Sequence, residues 1–195
     1  MWTISLLLGA AVAASTTAPS HAAEGCRAGA RAYFQAITRG DADAALARVA
    51  DPSDADRLAV RASAASEAGL RRLEELAVSH FGGRGEVGVA ARHQRLLGAI
   101  ERAPVEVSGD RAVLRPEGER PVRMRRTGGG WKVDSPADRL TGEERKALRQ
   151  TMKKTEEATK DLADRIRSGA VKSAQEARDA LRKALGRDDE EGVPL

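Results

Sequence analysis

Apolar residues change their spacing at Pro104 and change it back after Asp134, and this switch limits what the chain can fold into. Up to Arg102 they recur every three or four residues, the period of a helix with one buried stripe. From Val105 to Val133 they alternate with polar residues, the period of a half-buried strand. Val105 and Val107, then Ala112 to Leu114, then Val122 and Met124, then Trp131 and Val133 mark four short strands. Ser108-Gly109-Asp110, Pro116-Glu117-Gly118-Glu119 and Gly128-Gly129-Gly130 turn the chain between them, which predicts an antiparallel meander with one buried and one wet face. The fold class is therefore α+β: helices, then a sheet of four or more antiparallel strands, then a helical carboxyl-terminal arm.

Local signals place the helices. Ala30, Tyr33, Phe34 and Ile37 share a stripe on a first helix from Cys26 to Arg39, which Gly40 stops. Asp41 caps a short helix through Ala44, Leu46 and Val49. Ser53 with Asp56 opens a long one on which Leu58, Ala62, Ala65, Leu70, Leu73, Leu76 and Ala77 are expected to share a face, up to Phe81 and Gly82-Gly83-Arg84-Gly85. A further helix runs from about Val87 to Arg102 through Ala91, Leu96, Leu97 and Ile100, with residues 86–90 equally readable as strand. After the sheet, Ser135-Pro136-Ala137-Asp138 is a helix-start signal, and Thr141 with Glu144 is a capping box. Leu148, Met152, Thr155, Thr159, Leu162 and Ile166 then form a narrow stripe. Ser173 with Glu176 starts a last helix through Ala177, Leu181 and Leu185, ended by Gly186, and residues 188–195 are expected to be an acidic disordered tail. The arm, residues 141–187, either docks on its own domain or pairs with a second copy to form a homo-oligomer.

The apolar run from Ile4 to Ala14, followed by Ser20-His21-Ala22 with small residues at the cleavage positions, reads as a secretory signal peptide over residues 1–23, cut after Ala22 or Ala23. No Lys or Arg precedes the run, a departure from the usual pattern. The run falls short of the roughly 20 apolar residues a bilayer span requires, so export without an integral membrane span is expected. Cys26 is the only cysteine, which excludes an internal disulfide and leaves a thiol that is either buried or paired with another molecule. Ala23-Glu24-Gly25 lacks the apolar residue of a lipidation signal, which argues against a lipid anchor at Cys26. The chain has no Asn, so N-glycosylation is excluded.

The helix carrying Tyr33-Phe34-Gln35-Ala36-Ile37 ahead of Gly40-Asp41, the strands that follow, and the phrase Gly-Gly-Trp-Lys-Val-Asp at Gly129 to Asp134 together resemble the nuclear-transport-factor-2-like superfamily. The likeness is greatest to its small exported members of undefined activity and covers Cys26 to Asp138. It implies a curved sheet wrapped around the amino-terminal helices to make a cone over residues 24–140, often with an apolar pocket. Tyr33, Ile37, Leu114, Met124 and Trp131 would line that pocket here, and a small apolar molecule would be its ligand. The superfamily holds isomerases, hydrolases and cyclases as well as binding modules, so the resemblance does not choose an activity.

The residues themselves narrow the choice. The inward strand positions are all apolar, while Glu106, Arg123, Arg125, Lys132 and Asp134 fall on the opposite face, so the sheet supplies no general acid or base. Tyr33 is the one inward polar candidate, read as a core tyrosine with its hydroxyl at the rim. His80 and His93 are too far apart to share a helical face and have no second Cys or His to complete a zinc shell; no metal and no cofactor is expected. His80 reads as a helix C-terminal residue. The glycine runs lack the strand, helix and Lys-Ser/Thr context of a phosphate cradle. Arg120, Arg123, Arg125, Arg126 and Lys132 form the strongest local basic cluster, which on one sheet face would suit a polyanion; a solvated ladder of Arg123, Arg125 and Lys132 with Glu106 and Asp134 is the preferred reading. Yet 33 Lys and Arg are offset by 29 Asp and Glu spread evenly along the chain, and two Trp, one Tyr and two Phe make no stacking platform, so nucleic-acid binding is not expected. These observations favour an exported, non-enzymatic binding or scaffold module. An isomerase- or cyclase-type enzyme using Tyr33, and an assembly protein acting through the arm, are the alternatives.

Overall fold

Helix α1 (His21–Arg39) lies against a four-stranded antiparallel sheet and touches every strand of it. The computed structural model describes residues 21–82, 88–134 and 141–184. After α1 come α2 (Ala42–Leu46), the long α3 (Asp54–Phe81) and α4 (Val89–Arg102). The sheet follows as β1 (Val105–Ser108), β2 (Arg111–Leu114), β3 (Val122–Thr127) and β4 (Gly130–Val133), and the chain ends in α5 (Gly142–Arg167) and α6 (Ala174–Ala184). The class is α+β, and the sheet is open rather than a closed barrel.

The predicted start signals operate as local hydrogen bonds. The Asp41 carboxylate accepts from Ala44 N at 2.9 Å. Ser53 Oγ accepts from Asp56 N at 3.2 Å while the Asp56 carboxylate accepts from Ser53 N at 3.0 Å, a reciprocal capping box. Ser173 Oγ accepts from Glu176 N at 3.2 Å. Gly40 turns the chain out of α1 at φ 78°, where a Cβ would also stand 2.7 Å from that of Ala68.

The strands run in the order β1-β2-β3-β4, the simplest outcome of three tight turns. Val105 pairs with Leu114, Ala112 with Met124, Leu114 with Val122 and Met124 with Val133, so the predicted apolar face is continuous across the sheet. Val107, on edge strand β1, is the member left exposed. Arg126 pairs with Trp131 and so stands on the α1 side of the sheet, at its exposed rim. The expected basic cluster therefore divides, because neighbours in a strand point to opposite faces: Arg123, Arg125 and Lys132 point outward and Arg126 does not.

Three expectations are corrected. The short second helix ends at Leu46, and Val49 instead bridges in parallel to Val133, with Ala50 N donating to Val133 O and Val133 N to Arg48 O at 2.9 and 2.8 Å. This pairing covers the outer edge of β4. On α3, Leu58 is 41% exposed and Ala65 is exposed too. The buried set runs through Val60, Ala62, Ala64, Leu70, Leu73 and Ala77, because α3 is sandwiched: Val60 and Ala64 meet α1 and α2, whereas Leu70, Leu73 and Ala77 meet the arm. Residues 88–90 enter α4 from Gly88 at φ 90° rather than forming strand, and Ala91 is exposed while Val89 and Ile100 are buried. The expectations for residues 1–20, 83–87, 135–140 and 185–195, and for the side chains of Glu144 and Leu148, lie outside the described residues.

The arm docks on its own chain. Leu162 and Ile166 of α5, Val171, and Ala177 and Leu181 of α6 close a core over Leu70, Leu73 and Ala77 of α3. Thr155 and Thr159 are buried in that seam without polar cost, because their hydroxyls donate to the Thr151 and Glu156 carbonyls one turn back at 2.9 and 3.0 Å. Two other clusters fill the space between α1 and the sheet and between α1, α2 and α3.

At Gly29 a Cβ would fall well inside contact distance of the Trp131 carbonyl oxygen and 3.1 Å from Met124 Cε. Gly29→Ala is expected to destabilise the protein by about 1–3 kcal/mol through overpacking. At Gly98, also within a helix, a Cβ meets only the flexible end of Arg102 at 3.3 Å. Gly98→Ala should raise stability by about 0.5–1 kcal/mol, and urea melts of both variants check the pair.

Candidate functional site

Of the five residues expected to line a pocket, Leu114, Met124 and Trp131 share one cluster with Cys26 and Ala30 of α1. Ile37 belongs to the neighbouring cluster with Val49 and Val60, and Tyr33 packs against both. Trp131 closes directly on α1, where a Cβ at Gly25 would stand 3.0 Å from its ring. The Tyr33 ring meets Phe34 edge-on, centroids 5.1 Å apart. Burial, with a smaller contribution from the Asp56 carboxylate, pushes the Tyr33 hydroxyl up to about 12, so at neutral pH it is a hydrogen-bond donor and not a base. Asp56 is itself 1% exposed; one of its oxygens takes the Ser53 cap and the other is without a hydrogen-bond partner among the described residues.

On the outward face, Arg125 is the member of the basic set that carries ion pairs among the described residues. Arg125 reaches Asp51 at 2.9 Å and Asp134 at 3.6 Å, and Arg115 pairs with Glu106 at 3.1 Å, holding that carboxyl below its ordinary value. Asp51 adopts φ 46°, a backbone state Asp tolerates better than most residues. Cys26 is fully buried, and desolvation raises its thiol to about 11 despite the charge of Arg27.

A polar cluster escaped the sequence reading. Glu67 of α3 is flanked by Arg92 and His93 of α4; it is ion-paired to Arg92, and His93 Nε2 lies 2.7 Å from its Oε2. Burial alone would raise the Glu67 carboxyl, but the hydrogen bond to His93 and the charge and hydrogen bond of Arg92 override it and hold the group below the ordinary carboxylate value. Two turns further along α3, Glu74 accepts from Gly88 N, Val89 N and Ala90 N at 3.0 to 3.2 Å, capping a helix whose own N-cap is a glycine without a side chain. The one available signal was the seven-residue spacing of Glu67 and Glu74, which puts two carboxylates on one face of α3. His80, by contrast, stands in the last turn of α3 as read, edge-on to Phe81.

Between α3 and α5 lies a cleft of about 370 Å³, lined on the α3 side by the small residues Ala65, Ser66 and Gly69. Leu76, Met152 and Ala163 add apolar surface, and Arg72, Glu156, Lys160 and Arg167 also line it. A second cleft, about 530 Å³, lies between the end of α4 and β2 beside Arg95, Arg102, Arg115 and Glu117. No group of three or more metal-ligating side chains occurs among the described residues, and no described helix is long and apolar enough to cross a membrane. No protein-family model, curated protein or solved structure matches this chain.

Two outcomes follow from this geometry. Cys26 should resist a disulfide reagent in the folded protein and react stoichiometrically once urea unfolds it. Because the Glu67 carboxyl is lowered in the folded state, its contribution is present above its unfolded value of about 4.5 and is lost as pH falls through the folded one. Glu67→Gln is therefore expected to cost roughly 1–3 kcal/mol at pH 7. The gap between wild type and variant should narrow in melts taken below pH 4.5.

Proposed function

We propose that this chain is an exported, non-enzymatic binding module on a nuclear-transport-factor-2-like scaffold, and that it holds a small, largely apolar ligand in the cleft between α3 and α5. The scaffold reading is supported by α1 seated on a consecutive antiparallel meander that ends in the Trp131-Lys132-Val133-Asp134 strand. Export is supported by the signal-like run at residues 4–23. The binding reading rests on the cleft: its volume of about 370 Å³ falls within the roughly 300–1,000 Å³ of small-molecule sites, and small and aliphatic side chains line it together with Arg72, Glu156, Lys160 and Arg167. By contrast, α1 packs Gly25 and Gly29 directly on Trp131 at the sheet. The non-enzymatic reading is supported by the state of Tyr33 and Cys26, whose hydroxyl and thiol burial keeps protonated.

The chain made in an exporting host should carry a non-covalent adduct in native mass spectra that denaturation removes. Ala65 is exposed and lines the cleft, so Ala65→Phe fills it without disturbing a core. That variant should lose the adduct while its melting temperature stays within a few degrees of wild type. An adduct that survives Ala65→Phe unchanged would overturn the assignment of the cleft.

A further inference from the structure

The cleft between α3 and α5 is lined by small and apolar residues together with three cations, Arg72, Lys160 and Arg167, and one acid, Glu156. Resting on the reading of that cleft as the ligand site, we infer that it takes a free amphipathic anion, an aliphatic chain ending in an acidic headgroup such as a carboxylate.

The charge pattern carries this. Arg72, Lys160 and Arg167 stand at the cleft against one acid, Glu156. Asp164 answers Arg167 at 2.8 Å. Arg72 commits its Nε to the Ala68 carbonyl at 3.2 Å, which fixes the base of the guanidinium and leaves its terminal nitrogens to donate. Lys160 has no ion-pair partner among the described residues. The lining therefore carries an excess of positive charge from two different helices, with Arg72 on α3 and Lys160 on α5. A headgroup there would be clamped from both sides, whereas a cationic headgroup would meet net repulsion. The lining suits a flexible aliphatic tail: Gly69, Ala65 and Ala163 are too small to obstruct it, and the half-buried Leu76 and Met152 supply apolar contact. Along α3 the lining runs from Ala62 to Leu76, a length of about 20 Å at 1.5 Å per residue, enough for a medium-length chain to lie flat.

Calorimetric titration of the full mature chain with decanoate, decanol and decyltrimethylammonium tests the headgroup. Decanoate is expected to bind at least about tenfold more tightly than decanol, and the ammonium compound more weakly than either. The double variant Arg72→Gln, Lys160→Gln changes only exposed side chains, so it should keep the fold, bring decanoate to the affinity of decanol and leave decanol unchanged. Raising the salt concentration should weaken decanoate alone. Equal affinity of wild type for decanoate and decanol would overturn the acidic headgroup while leaving the cleft as a site for neutral ligands. Binding of either compound that Ala65→Phe does not weaken would overturn the cleft itself. Co-sedimentation of the chain with phosphatidylglycerol vesicles, with no response to decanoate, would overturn the free ligand in favour of a membrane surface.

Discussion

Gly29 leaves α1 without a side chain where it crosses β4, and the Trp131 carbonyl oxygen occupies the space a Cβ would need. Gly25, one turn earlier, does the same for the Trp131 ring. The largest side chain of the sheet is thereby brought into direct contact with the helix backbone. Leu114, Met124 and Val133 close around it, and Cys26 and Ala30 fill the helix side. A chain with so few aromatic residues gains its tightest packing by removing side chains rather than by enlarging them. The position of α1 then sets the rest, because α2 and α3 pack on its other side through Ile37, Leu46 and Val60.

Helix α3 is the second organising element, since it belongs to two cores at once. Its first half closes the α1–α2 cluster, and its second half joins α5 and α6. Its acidic residues fasten α4 at two levels, Glu67 through Arg92 and His93 and Glu74 through the free backbone amides of the α4 amino terminus. Both carboxylates replace hydrogen bonds that water would otherwise supply, which is why they can be partly buried. The cleft proposed for the ligand lies on the flank of the same helix, lined by its small residues and by α5. The site thus depends on the arm: without α5 the small residues of α3 would form only a shallow exposed strip.

Much of the fold was legible in the sequence because the signals were local. A period of two with turn residues between the runs marked four consecutive strands and their inward faces, and a shift of one residue would have buried Glu106, Arg123, Arg125, Lys132 and Asp134. The caps at Asp41, Ser53 and Ser173 were readable because each needs only a side chain and an amide three residues on. A stripe analysis assumes one buried face, and a helix between two cores has two, so Leu58 and Ala65 were assigned inward when neither core reaches them.

Periodicity and capping by themselves determined the α+β class, the meander, the faces of the strands and most helix starts, all of which depend on residues a few positions apart. Only the tertiary structure decided that Val49 would bridge to Val133, that Glu67 would meet Arg92 and His93, that Cys26 would be sealed between helix and sheet, and that Arg72 and Lys160 would stand at one cleft. Each of those contacts joins segments far apart in the chain. Which segments meet is set by how whole helices and the sheet fill space together, and no local pattern encodes that.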